Sequence, residues 1–153
     1  MLPGREFLGA NHLDFGALES AASGTGIAAR ARDLSKGSRP PGDLERLRAE
    51  DVFEAARNRQ AWAEKIVAET VDYLVIALVN LTAVLDPGLI VLGGGVARSA
   101  DLLIGPIMER MVGLIPNPPK ILVSTLGMRA TVLGAATSLF QNTSSSYVVH
   151  KRS

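Results

Sequence analysis

The chain has no cysteine among its 153 residues and only two histidines, His12 and His150, far apart in sequence. Disulfides and thiolate metal sites are thereby excluded, and a structural zinc site has too few ligands. Aromatic residues are scarce as well, at 5% against a hydrophobic fraction of 47%. The core must therefore be built from Ala, Leu, Val and Ile, in closely packed helices on a small sheet. Neither charge sign dominates: 16 Lys and Arg face 15 Asp and Glu, for a formal net charge of +1. Such a balance sets up no field that would gather phosphate backbones, and nucleic-acid binding is not expected. The opening residues Met1-Leu2-Pro3-Gly4-Arg5-Glu6 hold no apolar run of signal-peptide length, and the most apolar later run is interrupted by Asn80, Thr82 and Asp86. The expectation is a cytoplasmic protein without a membrane span, whose length fits one domain.

What is present is a series of helical patterns with two short strands among them. Residues 1–16 show no sustained period and read as an irregular entry; residues 141–153 are polar and Ser-rich, and are expected to form a mobile tail. Helices begin near Leu18, are interrupted at Gly24-Thr25-Gly26, resume from Ile27 to Leu34, and give way to a loop at Ser38-Arg39-Pro40-Pro41-Gly42. Asp51 to Arg57 reads as a short amphipathic helix with Val52, Phe53 and Ala56 on its dry face. The dominant element runs from Gln60 to Leu85. Its first half sets Glu64, Lys65, Glu69 and Asp72 against Ile66, Val67, Val71 and Leu74, whereas Leu74 to Val79 has no polar face. A helix of that length spans about 37 Å, so it should cross the whole domain with its second half buried. Beyond it come a helix from Leu102 to Val112, which Ser99 or Asp101 could cap, a strand from Ile121 to Ser124, and a last apolar helix from Ala130 to Phe140. Pro106 is tolerable in the first of these only near a first turn or at a kink. Gly134-Ala135-Ala136 gives the last helix a smooth face for close packing. Two strands do not make a stable sheet, so either further strands lie elsewhere in the chain or a partner lobe supplies them.

The first strand belongs to the most informative stretch, Asp86-Pro87-Gly88-Leu89-Ile90-Val91-Leu92-Gly93-Gly94-Gly95-Val96-Ala97. Pro87 ends the long helix because it lacks an N–H and drives Asp86 out of the right-handed helical region. Leu89 to Leu92 form a short buried strand, and Gly93, Gly94 and Gly95 can take positive φ and bring bare backbone against a ligand. Arg98 stands where a dinucleotide fingerprint needs its third small residue, and no Gly-Lys-Ser or Gly-Lys-Thr follows as in a phosphate loop. There remains a strand, a glycine turn and a helix start. That unit is either a plain tight turn or a set of N–H groups for an anion or a ribose.

Before the long helix, His12, Asp14 and Glu19 are the only cluster of polar functional types. Such a set is common by accident, yet could hold a metal or hydrogen-bond a hydroxylated substrate, the second more readily; Glu19, at a helix start, is the sharper candidate. Thr25 between two glycines could touch a phosphate, but an N-cap is the simpler role. Trp62 reads as a core or interface anchor, and arginines 30, 32, 39, 46 and 48 read as a solvated face.

Gly16-Ala17-Leu18-Glu19-Ser20-Ala21-Ala22-Ser23-Gly24, then Arg48 to Ala56, then Leu85 to Ala97, and finally Leu133-Gly134-Ala135-Ala136 resemble, in that order, the C-terminal half of the ROK family. That family unites bacterial repressors and sugar kinases such as glucokinase. The likeness covers roughly residues 14–140 and implies one lobe, residues 1–140, of the actin-like ATPase fold: α/β with an RNase H-like core, helix-rich with a small sheet. It implies sugar contacts from Glu19 and from His12, and an adenosine-side wall made by Gly93, Gly94, Gly95 and Val96, with ATP and Mg2+ as the cofactor pair. Where the family carries zinc-binding cysteines this chain has Ala10, His12 and Ala17, so the zinc site is expected to be lost. Met128-Arg129 replaces a usual acidic pair after Gly127. The family's N-terminal half, with its phosphate loops and catalytic aspartate, has no counterpart here, so no catalytic residue is assigned and no phosphoryl transfer is expected from this chain alone. Its partners would be a sugar, a nucleotide, and either a second copy or a missing first lobe. The alternatives are the sugar-sensing lobe of a repressor and a degenerate dimerisation module.

Overall fold

The structure is a computed structural model that describes residues 16–34 and 46–143. His12, Asp14, Arg39, the loop at residues 38–42 and the tail from residue 144 lie outside the described residues. The chain forms α1 (Ala17–Ala22), α2 (Gly24–Leu34), α3 (Ala49–Arg57), α4 (Ala61–Leu85), β1 (Leu89–Leu92), α5 (Ala100–Val112), β2 (Lys120–Val123) and α6 (Ala130–Thr143). Single 3₁₀ turns, Val96–Ser99 and Gly127–Arg129, lead into α5 and α6.

The core is arranged around α4. Ala63, Ile66, Val67, Thr70, Val71, Val75, Leu78 and Thr82 recur every three or four residues and are buried against α1, α2, α3 and α5. Thr70 and Thr82 are accommodated because their hydroxyls donate back to the carbonyls of Ile66 and Leu78, at 2.8 and 2.7 Å. Opposite them, Val52 and Phe53 of α3, Ile27 and Ala31 of α2, and Leu103, Ile107 and Met111 of α5 are almost wholly enclosed. By length and composition α4 could cross a membrane, but its buried stripe faces the other helices, as in the core helix of a folded lobe. Leu74 to Val79, the stretch without a polar face, is buried or half-buried throughout, but the last turn of α4 beyond it is not. Leu81, Val84 and Leu85 stand exposed, Val84 at 81%, because no described element packs over the last turn.

Asp86 closes α4 in the left-handed region at φ 43°, its N–H donating to Thr82 O at 2.9 Å, and Pro87 then prevents continuation. The two strands pair in parallel, Leu89 with Lys120 through Leu92 with Val123, and α5 forms the crossover between them. Among the described residues these are the only strands.

Several local expectations are revised. The break between the first two helices is at Ser23, not at Gly24-Thr25-Gly26: Ser23 Oγ accepts the N–H of Gly26 at 3.1 Å and so caps α2, with Thr25 inside the first turn. Gly26 is required by contact. A Cβ there would stand 2.1 Å from the Ser20 carbonyl oxygen, so α1 and α2 cross with no room for a side chain. Ser99 occupies the N-cap position of α5 without a side-chain cap bond, and Asp101 is engaged elsewhere. Pro106 lies mid-helix, where α5 continues although Pro106 has no N–H to offer the Leu102 carbonyl. Finally, α6 extends to Thr143, three residues into the stretch expected as tail.

The solvated arginine face holds at Arg32, Arg46 and Arg48, which are exposed, and fails at Arg30. Arg30 is half-buried: it donates to Glu69 at 3.2 Å and to the Thr70 hydroxyl at 2.5 Å, and lies 5.5 Å over the Tyr73 ring. Its burial pulls the guanidinium pKa below the usual arginine value, against the Glu69 charge that raises it. Arg32 donates to the Leu47 carbonyl at 2.9 Å and ties α2 to the segment entering α3. Trp62 is half-buried against the core and donates to Gln60 Oε1 at 2.8 Å.

The contact at Gly26 sets a test of the α1–α2 crossing. Gly26→Ala is expected to lower unfolding free energy by about 1–3 kcal/mol in urea titrations. Gly24→Ala, whose Cβ would meet only the Ala49 methyl at 3.7 Å, should change it by less than about 0.5 kcal/mol. Equal effects would contradict the steric account.

Candidate functional site

The glycine turn follows directly from β1. Among its three glycines only Gly94 has positive φ, at 81°. Gly95 is right-handed at φ −65° and ψ −41°, and its carbonyl accepts the Arg98 N–H at 3.2 Å to open the 3₁₀ turn. The expectation that all three glycines exploit positive φ is thus met at one position. A Cβ on Gly95 would meet nothing within 4 Å, and one on Gly93 would reach only the Ser124 Cβ at 3.8 Å. Neither glycine is demanded by packing or dihedral angle among the described residues. Their missing side chains leave open space over the turn.

That space belongs to two cavities that meet along Gly24, Gly95 and Val96. The first, about 410 Å³, has Gly93 to Ala97 along one side and Glu19, Ala22 and Ser23 along the other, with Leu74, Leu103 and Ile104 below. The predicted residues Glu19, Gly93, Gly94, Gly95 and Val96 therefore share one concavity. Glu19 reaches it because Gly16, at φ 99°, turns the chain into α1, which places Glu19 in the first helical turn, exposed to solvent. Its carboxylate is an acceptor only. His12, expected beside it, lies outside the described residues.

The second cavity, about 360 Å³, opens on the far side of Gly95 and Val96. Ala28, Leu47, Ala49 and Phe53 give it an apolar lining, and Thr25, Arg32, Arg48, Glu50 and Arg98 add polar groups. The Arg48 N–H donates to Asp51 Oδ2 at 2.8 Å, fixing the start of α3, and Thr25 shares a 2.8 Å hydrogen bond with Ser23. The first turn of α2 thus lines both cavities, as does the turn that leads into α5. Each presents the partially positive end of a helix. A largely apolar cavity with polar groups around it, beside a bare glycine turn, suits a ligand with an apolar portion joined to hydroxyl or phosphate groups. Residues of this second cavity were largely missed from sequence. The sequence offers Thr25 as a phosphate contact or, more simply, an N-cap, and nothing in its local pattern marks Arg48, Glu50, Phe53 or Arg98 as site residues. The available signal was Arg98, three residues beyond Gly95 in the same turn.

One exposed ion pair ties α3 to α5 beside this site. Arg57 donates through Nε and Nη2 to the two Asp101 oxygens, both at 2.8 Å. These hydrogen bonds hold the Asp101 carboxyl below its ordinary pKa and raise Arg57 above its own. Among the described residues no three of His, Cys, Asp and Glu stand together as a metal site.

A parallel strand pair with a helical crossover, helices packed on one side and a glycine turn over paired cavities define a helix-rich α/β lobe of the actin-like ATPase fold. A ROK family glucokinase from Streptomyces griseus, solved with glucose and AMPPNP, superposes with a TM-score of 0.71 at 24% identity, over 84% of this chain and 46% of that one. Residues 14–142 match the ROK family, and the chain belongs to it. Glucokinase from Halalkalibacterium halodurans is 36% identical over 129 residues, or 78% of this chain and 39% of that protein. Glucokinase from Thermotoga maritima is 30% identical over 131 residues, 79% of this chain and 41% of that one. The chain thus spans about two fifths of the length of the curated glucokinases it matches.

The Asp101 carboxyl has a folded pKa below its unfolded one, so the pair stabilises the fold above the ordinary carboxylate range and ceases to do so as pH falls through the lowered pKa. Arg57→Ala should therefore cost a few tenths of a kcal/mol near neutral pH, since the pair is solvent-screened, and about nothing in strong acid. Urea titrations of both proteins from about pH 7 to about pH 2.5 check this. A difference that grows in acid would contradict it.

Proposed function

We propose that this chain is the C-terminal, ligand-binding lobe of a ROK-type sugar kinase, with Gly93 to Val96 as the nucleotide wall and Glu19 at the sugar edge. The observation that carries this reading is the open Cβ space at Gly95, a right-handed residue that needs no glycine for its own conformation, at the junction of both cavities. Bare backbone is retained there because another molecule approaches it. The base and ribose of ATP take the slot between Phe53, Ala28 and Val96, with the phosphates pointing away past the first turn of α2. Glu19, exposed in the adjoining cavity, accepts hydrogen bonds from hexose hydroxyls and orients the ring.

Similarity to two glucokinases, and to a structure solved with glucose and AMPPNP, supports both ligands. In the complete reaction the γ-phosphoryl of Mg-ATP passes to a sugar hydroxyl. That transfer needs a base to take the hydroxyl proton and donors around the β- and γ-phosphates, and these we assign to the lobe this chain does not carry. His12, if it reaches the cavity, adds a second sugar contact. No thiolate zinc site can form in this chain, which has no cysteine.

Calorimetry tests the assignment. ATP-Mg should bind the purified chain, and Gly95→Val should weaken that binding at least about tenfold while leaving the urea midpoint unchanged, since the site admits a side chain without strain. Glu19→Gln should weaken glucose binding and leave ATP binding intact. Undiminished ATP binding by Gly95→Val removes the nucleotide wall. Phosphorylation of a hexose by the chain alone contradicts the division of labour.

A further inference from the structure

A third hollow, about 400 Å³, lies where α3, α4 and α5 meet, and it shares no lining residue with the two at the glycine turn. Val67, Ala68 and Val71 of α4 and Leu102 and Pro106 of α5 give it an apolar floor. Around that floor stand three arginines, Arg57, Arg59 and Arg110, with a single carboxylate, Glu64. Three guanidiniums against one carboxylate leave two positive charges of the lining unmatched.

Two of these arginines are held by groups at the margin. Arg57 gives Nε and Nη2 to Asp101, and Arg110 gives Nη1 to Asp72 and to the Ala68 carbonyl. Neither Asp72 nor Asp101 lines the hollow. Among the described residues, Arg57 Nη1 and Arg110 Nε and Nη2 have no hydrogen-bond partner, so each fork is fixed in place with donors to spare. Arg59 arrives by a different route. The N–H groups of Arg59 and Gln60 close α3 on the carbonyls of Ala56 and Ala55, both at 3.0 Å, and this closure puts residue 59 in the left-handed region at φ 59°. Glycine suits such a position, yet the chain sets a long cation there. Its side chain is 89% exposed, and its one ion-pair partner among the described residues is Glu64, at 3.4 Å.

The geometry points to a binding site in this hollow for a phosphate monoester borne on an apolar body, with the arginines on the phosphate and the α4 and α5 side chains against the body. Charge selects the head group: a phosphate monoester carries about −1.5 to −2 near neutral pH and so answers both unmatched charges, whereas a carboxylate answers one. Guanidinium forks also meet phosphate oxygens in pairs. The site is independent of the nucleotide wall and of the sugar edge.

Phenyl phosphate is the probe, titrated by calorimetry into the chain beside inorganic phosphate, phenol and benzoate. One saturable site is expected, at least about tenfold tighter for phenyl phosphate than for each of the others. Arg59→Gly should weaken it at least about fivefold while keeping or raising the urea midpoint, since glycine relieves the left-handed backbone, so misfolding cannot account for the loss. Arg110→Ala should weaken it likewise, and Gly95→Val, at the glycine turn, should leave it unchanged. Binding that survives both arginine changes overturns the proposal. So does binding that falls with Gly95→Val, which assigns the anion to the glycine turn, or that benzoate equals, which removes the selection for a dianion. Absence of saturable binding at millimolar phenyl phosphate overturns it as well.

Discussion

Everything described here depends on one apolar stripe of α4. Ile66, Val71, Val75 and Leu78 are the surface onto which the flanking helices settle, and each of those helices carries part of the site. With a net aromatic content so low, the core relies on interlocked aliphatic and alanine side chains, which tolerate little displacement. Among the described residues Phe53 is the one aromatic ring almost wholly enclosed, and it serves both core and second cavity. A change in how α3 leans on α4 is therefore also a change in the shape of the slot.

The site is an assembly of chain reversals more than of functional side chains. Asp86 and Pro87 end α4 where β1 must start, Gly94 folds the strand end over, and Ser23 stops α1 and starts α2. Each reversal exposes a few N–H groups at a helix start or a glycine turn. Their convergence lines two mostly apolar hollows with helix starts, and the second also carries Arg32, Arg48 and Arg98 on its wall. Two arginines hold the walls: Arg32 on the Leu47 carbonyl and Arg57 on Asp101 fix the position of α3.

Much of this was legible in the residues. Alternation of wet and dry positions places α4 to within one residue, and the order helix, Asp-Pro, apolar run, three glycines marks β1 and its turn. What failed did so for identifiable reasons. Composition makes the second half of α4 look buried, but burial needs a neighbour, and none of the described elements covers Leu81, Val84 and Leu85. Gly24-Thr25-Gly26 looks like a helix break because glycine is a poor helix former. Its glycines instead fall in the first turn, where Gly26 is fixed by a contact six residues back that no local pattern reveals. Arg30 has the charge of a surface residue, yet Glu69, Thr70 and Tyr73 lie about forty positions away and come together only through folding. The second cavity was hidden likewise, since Thr25, Phe53 and Arg98 share no motif.

The Gly26 crossing has a mechanical consequence. Because the Ser20 carbonyl sits where any side chain on Gly26 would go, α1 and α2 form a single elbow with no slack between its arms. Glu19 is on one arm and Thr25 on the other, one in each hollow. The two hollows thus share a common bracket. A substitution that forces the arms apart at Gly26 therefore changes the shape of both hollows together.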